Sequence, residues 1–230
     1  QSFLFLPEDF ISSRRVFVLL LIFVASILYL SSCSGSCNCE GKEPILSPLK
    51  TSSVDGKEMI LIPAGDFIMG TDKIDEDNTH RKIGTVKPLY LDQHPIRKVY
   101  LDEYYIDKYE VTNEEYKMFL DASGYDELPG HWENGSYADG TEKYPVTHVT
   151  WREALTYALW AKKTLPTEAQ WEKAARGADG RVFPWGNDYK KGKSNIDIDG
   201  ARALAKVGSY PDDISPYDVY DMAGNVMEWT

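Results

Sequence analysis

Asp221-Met222-Ala223-Gly224-Asn225-Val226-Met227-Glu228-Trp229 sets two carboxylates on either side of an Ala-Gly-Asn turn and ends on large apolar side chains. Oxygen donors on a tight, glycine-containing turn are what a hard cation such as calcium requires. Asp and Asn serve equally well to cap backbone N–H groups. Local chemistry leaves the stretch open between a metal site and a self-bonded turn.

A second oxygen-rich stretch lies upstream, at Asn195-Ile196-Asp197-Ile198-Asp199-Gly200. Its alternating donors around a glycine imitate a calcium loop without the EF-hand spacing. The same two readings apply. The acidic loop from Thr71 to Lys82 has no ligand spacing and reads as solvated.

Three helices are announced by one device. Thr112-Asn113-Glu114-Glu115, Thr150-Trp151-Arg152-Glu153 and Thr167-Glu168-Ala169-Gln170 are capping boxes. Behind them, Tyr116, Phe119 and Leu120, then Ala154, Tyr157, Ala158 and Ala161, then Trp171, Ala174 and Ala175, fall at helical spacing and read as core faces. Gly177 is the expected stop of the third. Short strands are expected at Met59–Pro63, Gly65–Gly70 and Arg97–Ile106, the last from its alternation of apolar and polar residues. The remainder is loop, giving an α+β domain with few short elements. Long loops in a compact domain call for a brace, and bound metal is a common one.

The chain of 230 residues, 43% hydrophobic, is large enough for a packed core. Its six Trp and fifteen Tyr suit a loop-rich core built from rings. A net charge of -11 argues against a nucleic-acid partner. The four histidines, His80, His94, His131 and His148, form no zinc-type spacing, and neither a phosphate loop nor a serine-nucleophile elbow occurs.

All three cysteines, Cys33, Cys37 and Cys39, precede the globular part, which excludes a disulfide-built scaffold. Arg14 and Arg15 precede the apolar run Val16–Ala25, which continues to Leu30, the pattern of a secretory signal. Leu30-Ser31-Ser32-Cys33 resembles a bacterial lipobox, with Cys33 as the lipidated residue; an uncleaved anchor helix is the alternative. The expected organisation is a leader over 1–33, a flexible linker over 34–57 and a domain over 58–230.

Seven motifs in order carry a resemblance: Met69-Gly70; Tyr109-Glu110-Val111-Thr112-Asn113; Pro145-Val146 through Val149-Thr150-Trp151; Leu165 to Glu172; Ala175-Arg176-Gly177; Pro184-Trp185-Gly186-Asn187; and Asp221 to Trp229. Together they resemble the formylglycine-generating enzyme, or sulfatase-modifying factor, family. That resemblance implies a fold related to C-type lectins and braced by calcium. Carried over by position, one calcium site falls on Asn195, the Ile196 carbonyl, Asp199 and the Ala201 carbonyl, with Asp197 able to substitute. The other falls on Asp221, the carbonyls of Gly224 and Val226, and Glu228. Glu110 matches a position less firmly tied to metal. Thr164 and Gln170 stand where Arg and Glu are usual, and Ala158 and Ala175 where some members carry a cysteine bridge.

Family enzymes oxidise the cysteine of a sulfatase Cys-x-Pro-x-Arg segment to formylglycine, with oxygen and a copper ion held by two cysteines. The resemblance places those cysteines beyond Thr230, so the domain reads as lacking its C-terminus, and copper is expected only if that part supplies the pair. The expected function is therefore a non-catalytic, calcium-braced binding or assembly lipoprotein of the bacterial envelope, facing the periplasm or in the outer membrane. Its partners would be the membrane and envelope proteins. The alternatives are a formylglycine-generating oxidase acting on a sulfatase segment, or a sulfoxide-synthase-like oxygenase.

Overall fold

The computed structural model describes residues 4–5, 49–74, 91–196 and 203–230. Among these described residues are six strands, three α-helices and a short 3-10 turn at Leu91–Gln93, and the α+β class expected from the sequence is the one observed. The strands are β1 (Leu4–Phe5), β2 (Leu49–Thr51), β3 (Glu58–Ile62), β4 (Gly65–Met69), β5 (Arg97–Leu101) and β6 (Tyr104–Asp107). An antiparallel sheet runs in the order β1-β6-β3-β2, and β4 pairs with β5 in a separate ribbon.

The single strand expected over Arg97–Ile106 is two strands in two sheets. Asp102 and Glu103, both exposed, interrupt the alternation, so the buried face changes phase before Tyr104. Leu101 then faces Gly65, while Ile106 faces Ile60. The linker boundary at 57 also moves. Leu49, Lys50 and Thr51 pair with Ile60, Met59 and Glu58, and Ser52, Asp55 and Lys57 are buried. A Ser- and Pro-containing spacer would leave such polar side chains in water; here each has a partner.

Helices α1 (Asn113–Ser123), α2 (Trp151–Trp160) and α3 (Glu168–Arg176) start at the three expected caps, each with a reciprocal capping box. The Thr112 hydroxyl accepts from the Glu115 N–H at 3.4 Å, and Glu115 Oε2 accepts from the Thr112 N–H at 2.8 Å. Helix α1 ends on Gly124 in the left-handed region, φ 70°. Replacing Thr112 with Ala should lower stability by about 1 kcal/mol in a urea melt.

The helical faces bury as their spacing predicts. Tyr116, Phe119, Tyr157 and Trp132 pack with Val111, Val146 and Leu165 in one cluster. Tyr116 and Tyr157 stack at 5.8 Å between ring centres, and Trp132 meets Tyr116 edge-on at 6.1 Å. A second cluster joins Ile60, Ile62, Tyr104 and Ile106 of the sheet to Ala174 and Ala175 of α3 and to Val219 and Met222. Burial of Val219 and Met222 pins the Asp221 turn between α3 and the sheet.

Beneath α2, Lys163 Nζ reaches both Asp55 Oδ2 and Asp107 Oδ1 at 2.7 Å, with all three side chains fully buried. Burial pushes the Asp107 carboxyl up to about 6 against the pull of Lys163. Burial is the largest influence on Asp55 and opposes its ionisation, but the Lys163 charge and the hydrogen bonds from Lys163, Ser52 and Lys57 together outweigh it and hold the carboxyl below its usual value. Lys57 Nζ makes the companion contacts, to Glu115 Oε2 at 2.8 Å and the Glu110 carbonyl at 3.0 Å. These ion pairs tie the residues before β3 to β6, to the first turn of α1 and to the segment that follows α2.

Candidate cation site at the Asp221 turn

Three local constraints shape the turn. Tyr220 N–H donates to the Lys108 carbonyl at 3.0 Å, and Asp221 N–H to the Asp213 carbonyl at 3.0 Å, continuing the sheet edge into the loop. The Asp213 carboxylate accepts from Ala223 N–H at 3.1 and 3.2 Å. Asp221 and Asn225 take left-handed backbone, φ 59° and 70°, which Asp and Asn tolerate better than most residues.

Gly224 is required for a different reason. A Cβ built on it would stand 2.7 Å from the Asn195 carbonyl oxygen. That contact lets Asn225 N–H donate to the same oxygen at 2.8 Å. Gly224→Ala should therefore separate the two loops and destabilise the protein by about 1–3 kcal/mol, read as a lowered melting temperature.

Asn225 is the hub of the site. Its Nδ2 donates to Glu110 Oε2 at 2.8 Å, while its Oδ1 accepts from Asn195 Nδ2 and Ala205 N–H, each at 2.9 Å. Asp221 Oδ2 accepts from Gly208 N–H at 2.6 Å. Glu110 is only 1% exposed, and its second oxygen, Oε1, has no hydrogen-bond partner.

The electrostatics follow from this crowding. Burial, reinforced by the charges of Glu228 and Asp221, raises Glu110 to about 8. Burial and then the Asp221 charge raise Asp213 to about 7. Burial raises Asp221 to about 6, with the Gly208 N–H pulling it down and Glu228 pushing it up. Four carboxylates thus repel one another around one turn.

Asp221, Gly224, Val226 and Glu228 line a cavity of about 510 Å³ that Asn195 and Ile196 also line. The two oxygen-rich stretches, separate in sequence, share this wall. Asp197, Asp199 and Ala201 lie outside the described residues, as does Cys33, so only half of the first expected calcium set is placed. Asn195 spends its side chain locally: Nδ2 also donates to the Ala203 carbonyl at 3.1 Å, and Oδ1 accepts from Tyr210 at 3.4 Å.

Among the described residues no three His, Cys, Asp or Glu side chains surround a common point. The Asp221 set expected from the sequence is two carboxylates and two backbone carbonyls, and of these the Gly224 carbonyl also accepts from Val226 N–H at 3.0 Å. Such a set suits a hard cation that completes its shell with water. The orphaned Glu110 Oε1 beside it fits the presence of positive charge nearby.

Sequence reasoning missed Asp213 and Gly208, and gave Asn225 no role of its own. Asp213 sits in a Pro-Asp-Asp loop with no local signal. Asn225 is legible only as a residue able to adopt positive φ. A neighbouring cavity of about 340 Å³ shares Trp171, Met222 and Ala223 and is flanked by Arg176, Phe183 and Pro184. Its guanidinium is committed to Glu172 and to the Gly70 and Gly180 carbonyls.

Residues 47–230 match the family model described as the sulfatase-modifying factor enzyme 1-like domain. The chain is 32% identical over 227 residues to the formylglycine-generating enzyme of Mus musculus, an alignment covering 75% of this chain and 57% of that protein. It is 29% identical over 223 residues to the inactive C-alpha-formylglycine-generating enzyme 2 of Bos taurus, covering 75% and 69%. Among solved structures, PvdO from Pseudomonas aeruginosa superposes with a TM-score of 0.61 at 27% identity, covering 82% of this chain and 75% of that one. The chain thus spans little more than half the length of the mouse enzyme.

Proposed function

Since the chain belongs to the sulfatase-modifying factor family, we propose that it is a calcium-braced, non-catalytic binding or assembly module of the bacterial cell envelope, tethered by a lipid on Cys33. The observation carrying this reading is Glu110: a carboxylate 1% exposed, with one oxygen unpartnered, beside the Asp221 turn. Calcium there would be held by Asp221, Glu228 and the carbonyls of Gly224 and Val226. When bound, it supplies positive charge that offsets the converging carboxylates. The corresponding upstream set is Asn195, Ile196, Asp199 and Ala201.

The chain's own polar groups support a bracing role. Asp213 and Asp221 accept backbone N–H groups, and Asn225 joins Glu110 to the Asn195 and Ala205 segments. These side chains hold loops together, and what they leave for a partner is the cavity wall. The tether rests on the Leu30-Ser31-Ser32-Cys33 sequence and the apolar run before it. Incorporation of labelled fatty acid in cells, lost in Cys33→Ala, tests it.

The second reading, a formylglycine-generating oxidase, is favoured by the 32% identity to the mouse enzyme. It would use copper supplied to a cysteine pair beyond Thr230, and a sulfatase Cys-x-Pro-x-Arg segment as substrate. The deciding experiment incubates the protein expressed from its complete reading frame with such a peptide, copper and oxygen. Mass spectrometry should find the cysteine unchanged; formation of the aldehyde would overturn the non-catalytic reading.

A further inference from the structure

Two histidines seventeen positions apart in the sequence come together in space. The rings of His131 and His148 lie with their centres 4.9 Å apart and their planes inclined by 46°. We propose that they form a two-imidazole site for a borderline divalent cation of the zinc, nickel or copper class, separate from the calcium turn and independent of the function proposed above.

The spacing is the first argument. A metal bound at about 2.0–2.1 Å to one nitrogen of each ring, with tetrahedral angles, holds the two ring centres roughly 5 Å apart. The rings already stand at that separation.

The second argument is that both backbones are fixed. His131 occupies a turn closed by Trp132 N–H donating to the Pro129 carbonyl at 2.9 Å, and Pro129 and Trp132 on either side are buried. His148 lies between buried Val146 and Val149, which anchor its backbone, with φ 57° in the left-handed region where His is enriched among non-glycine residues. The imidazoles are exposed on these rigid supports, so approach from solvent is open.

The third argument concerns the nitrogens. His148 Nδ1 lies 3.1 Å from the Thr147 hydroxyl. With Nδ1–H donating to that oxygen, Nε2 carries the lone pair, the arrangement by which neighbouring hydrogen bonds orient a ligating imidazole. Imidazole suits zinc, nickel and copper and is a poor ligand for calcium, which keeps the two sites chemically distinct. Two protein donors leave the remaining positions to water or to a donor from a bound partner.

The test uses the full chain, its cysteines alkylated so that thiolates do not compete, in calcium-containing buffer titrated with copper(II) chloride. Electron paramagnetic resonance should show two equatorial imidazole nitrogens at one equivalent. His131→Asn and His148→Asn should each remove one; Asn keeps the left-handed backbone available at position 148. Thr147→Val should weaken binding about tenfold while leaving both nitrogens in the spectrum. Melting curves matching the wild type establish that the variants fold, and either histidine variant alone suffices for the comparison. An unchanged spectrum and affinity in the histidine variants overturns the site, as does wild-type binding no tighter than that of the double variant.

Discussion

Calcium at about 100 times its dissociation constant should raise the melting temperature by roughly 5–11 °C. The range follows from ~2.7 kcal/mol of linkage and about 2–4 °C per kcal/mol for a chain of this size. Asp221→Asn and Glu228→Gln should each remove most of the rise, and EDTA should reverse it in the wild type. The expected size depends on pH with a definite sign. Glu110, Asp213 and Asp221 are raised to about 8, 7 and 6. Each therefore holds its proton more tightly folded than unfolded. In EDTA, the stability they contribute is complete below their unfolded values, near pH 4, and is lost as pH climbs through 6 to 8. Calcium competes with those protons, so its stabilising effect should be largest near pH 8 and small near pH 5. Calorimetry at both pH values, with calcium and with EDTA, reads this directly; a calcium effect of equal size at both would remove these carboxylates as the site.

Lys163→Met should be the most damaging single substitution in the interior. Lys163 lies between Asp55 and Asp107, all three fully buried, and its loss leaves two carboxylates without their bonded counter-charge, with only the Lys57 charge acting from further off. Breaking a buried ion pair in this way costs about 3–5 kcal/mol, against a total stability on the order of 5–15 kcal/mol for a folded protein. Asp107→Asn should cost much less. That carboxyl is already raised to about 6 by burial, so its neutral form is the easier one to reach. Urea denaturation of the two variants separates the cases. If Lys163→Met were no worse than Asp107→Asn, the lysine would not be the keystone of the three-group cluster.

What the sequence shows plainly is whatever depends on neighbours along the chain. The three Thr caps and their Glu or Gln partners lie three residues apart, so hydrogen bonding within one turn of helix fixes where α1, α2 and α3 begin. The buried stripes behind them follow from the 3.6-residue period. The strand expected over Arg97–Ile106 illustrates the limit: alternation marks extended backbone but does not say which sheet receives each half. The pairings of Leu101 with Gly65 and Ile106 with Ile60 are set by partners 36 and 46 residues upstream.

The same division runs through the two proposed cation sites. Sequence alone supplied the candidate donors of the Asp221 turn, because Asp, Gly, Asn and Glu within eight residues carry both the oxygen chemistry and the backbone freedom a turn requires. It also determined the family, through motifs in order. Tertiary structure alone decided that Glu110 and Asp213 crowd that turn, that Asn225 joins it to the Asn195 loop, and that His131 meets His148. These contacts close across about 10 to 115 residues. Their existence depends on buried residues such as Val219, Met222, Val149 and Trp132, which hold separate loops at fixed distances. Side-chain chemistry is written locally; its convergence is set by the packing of the core.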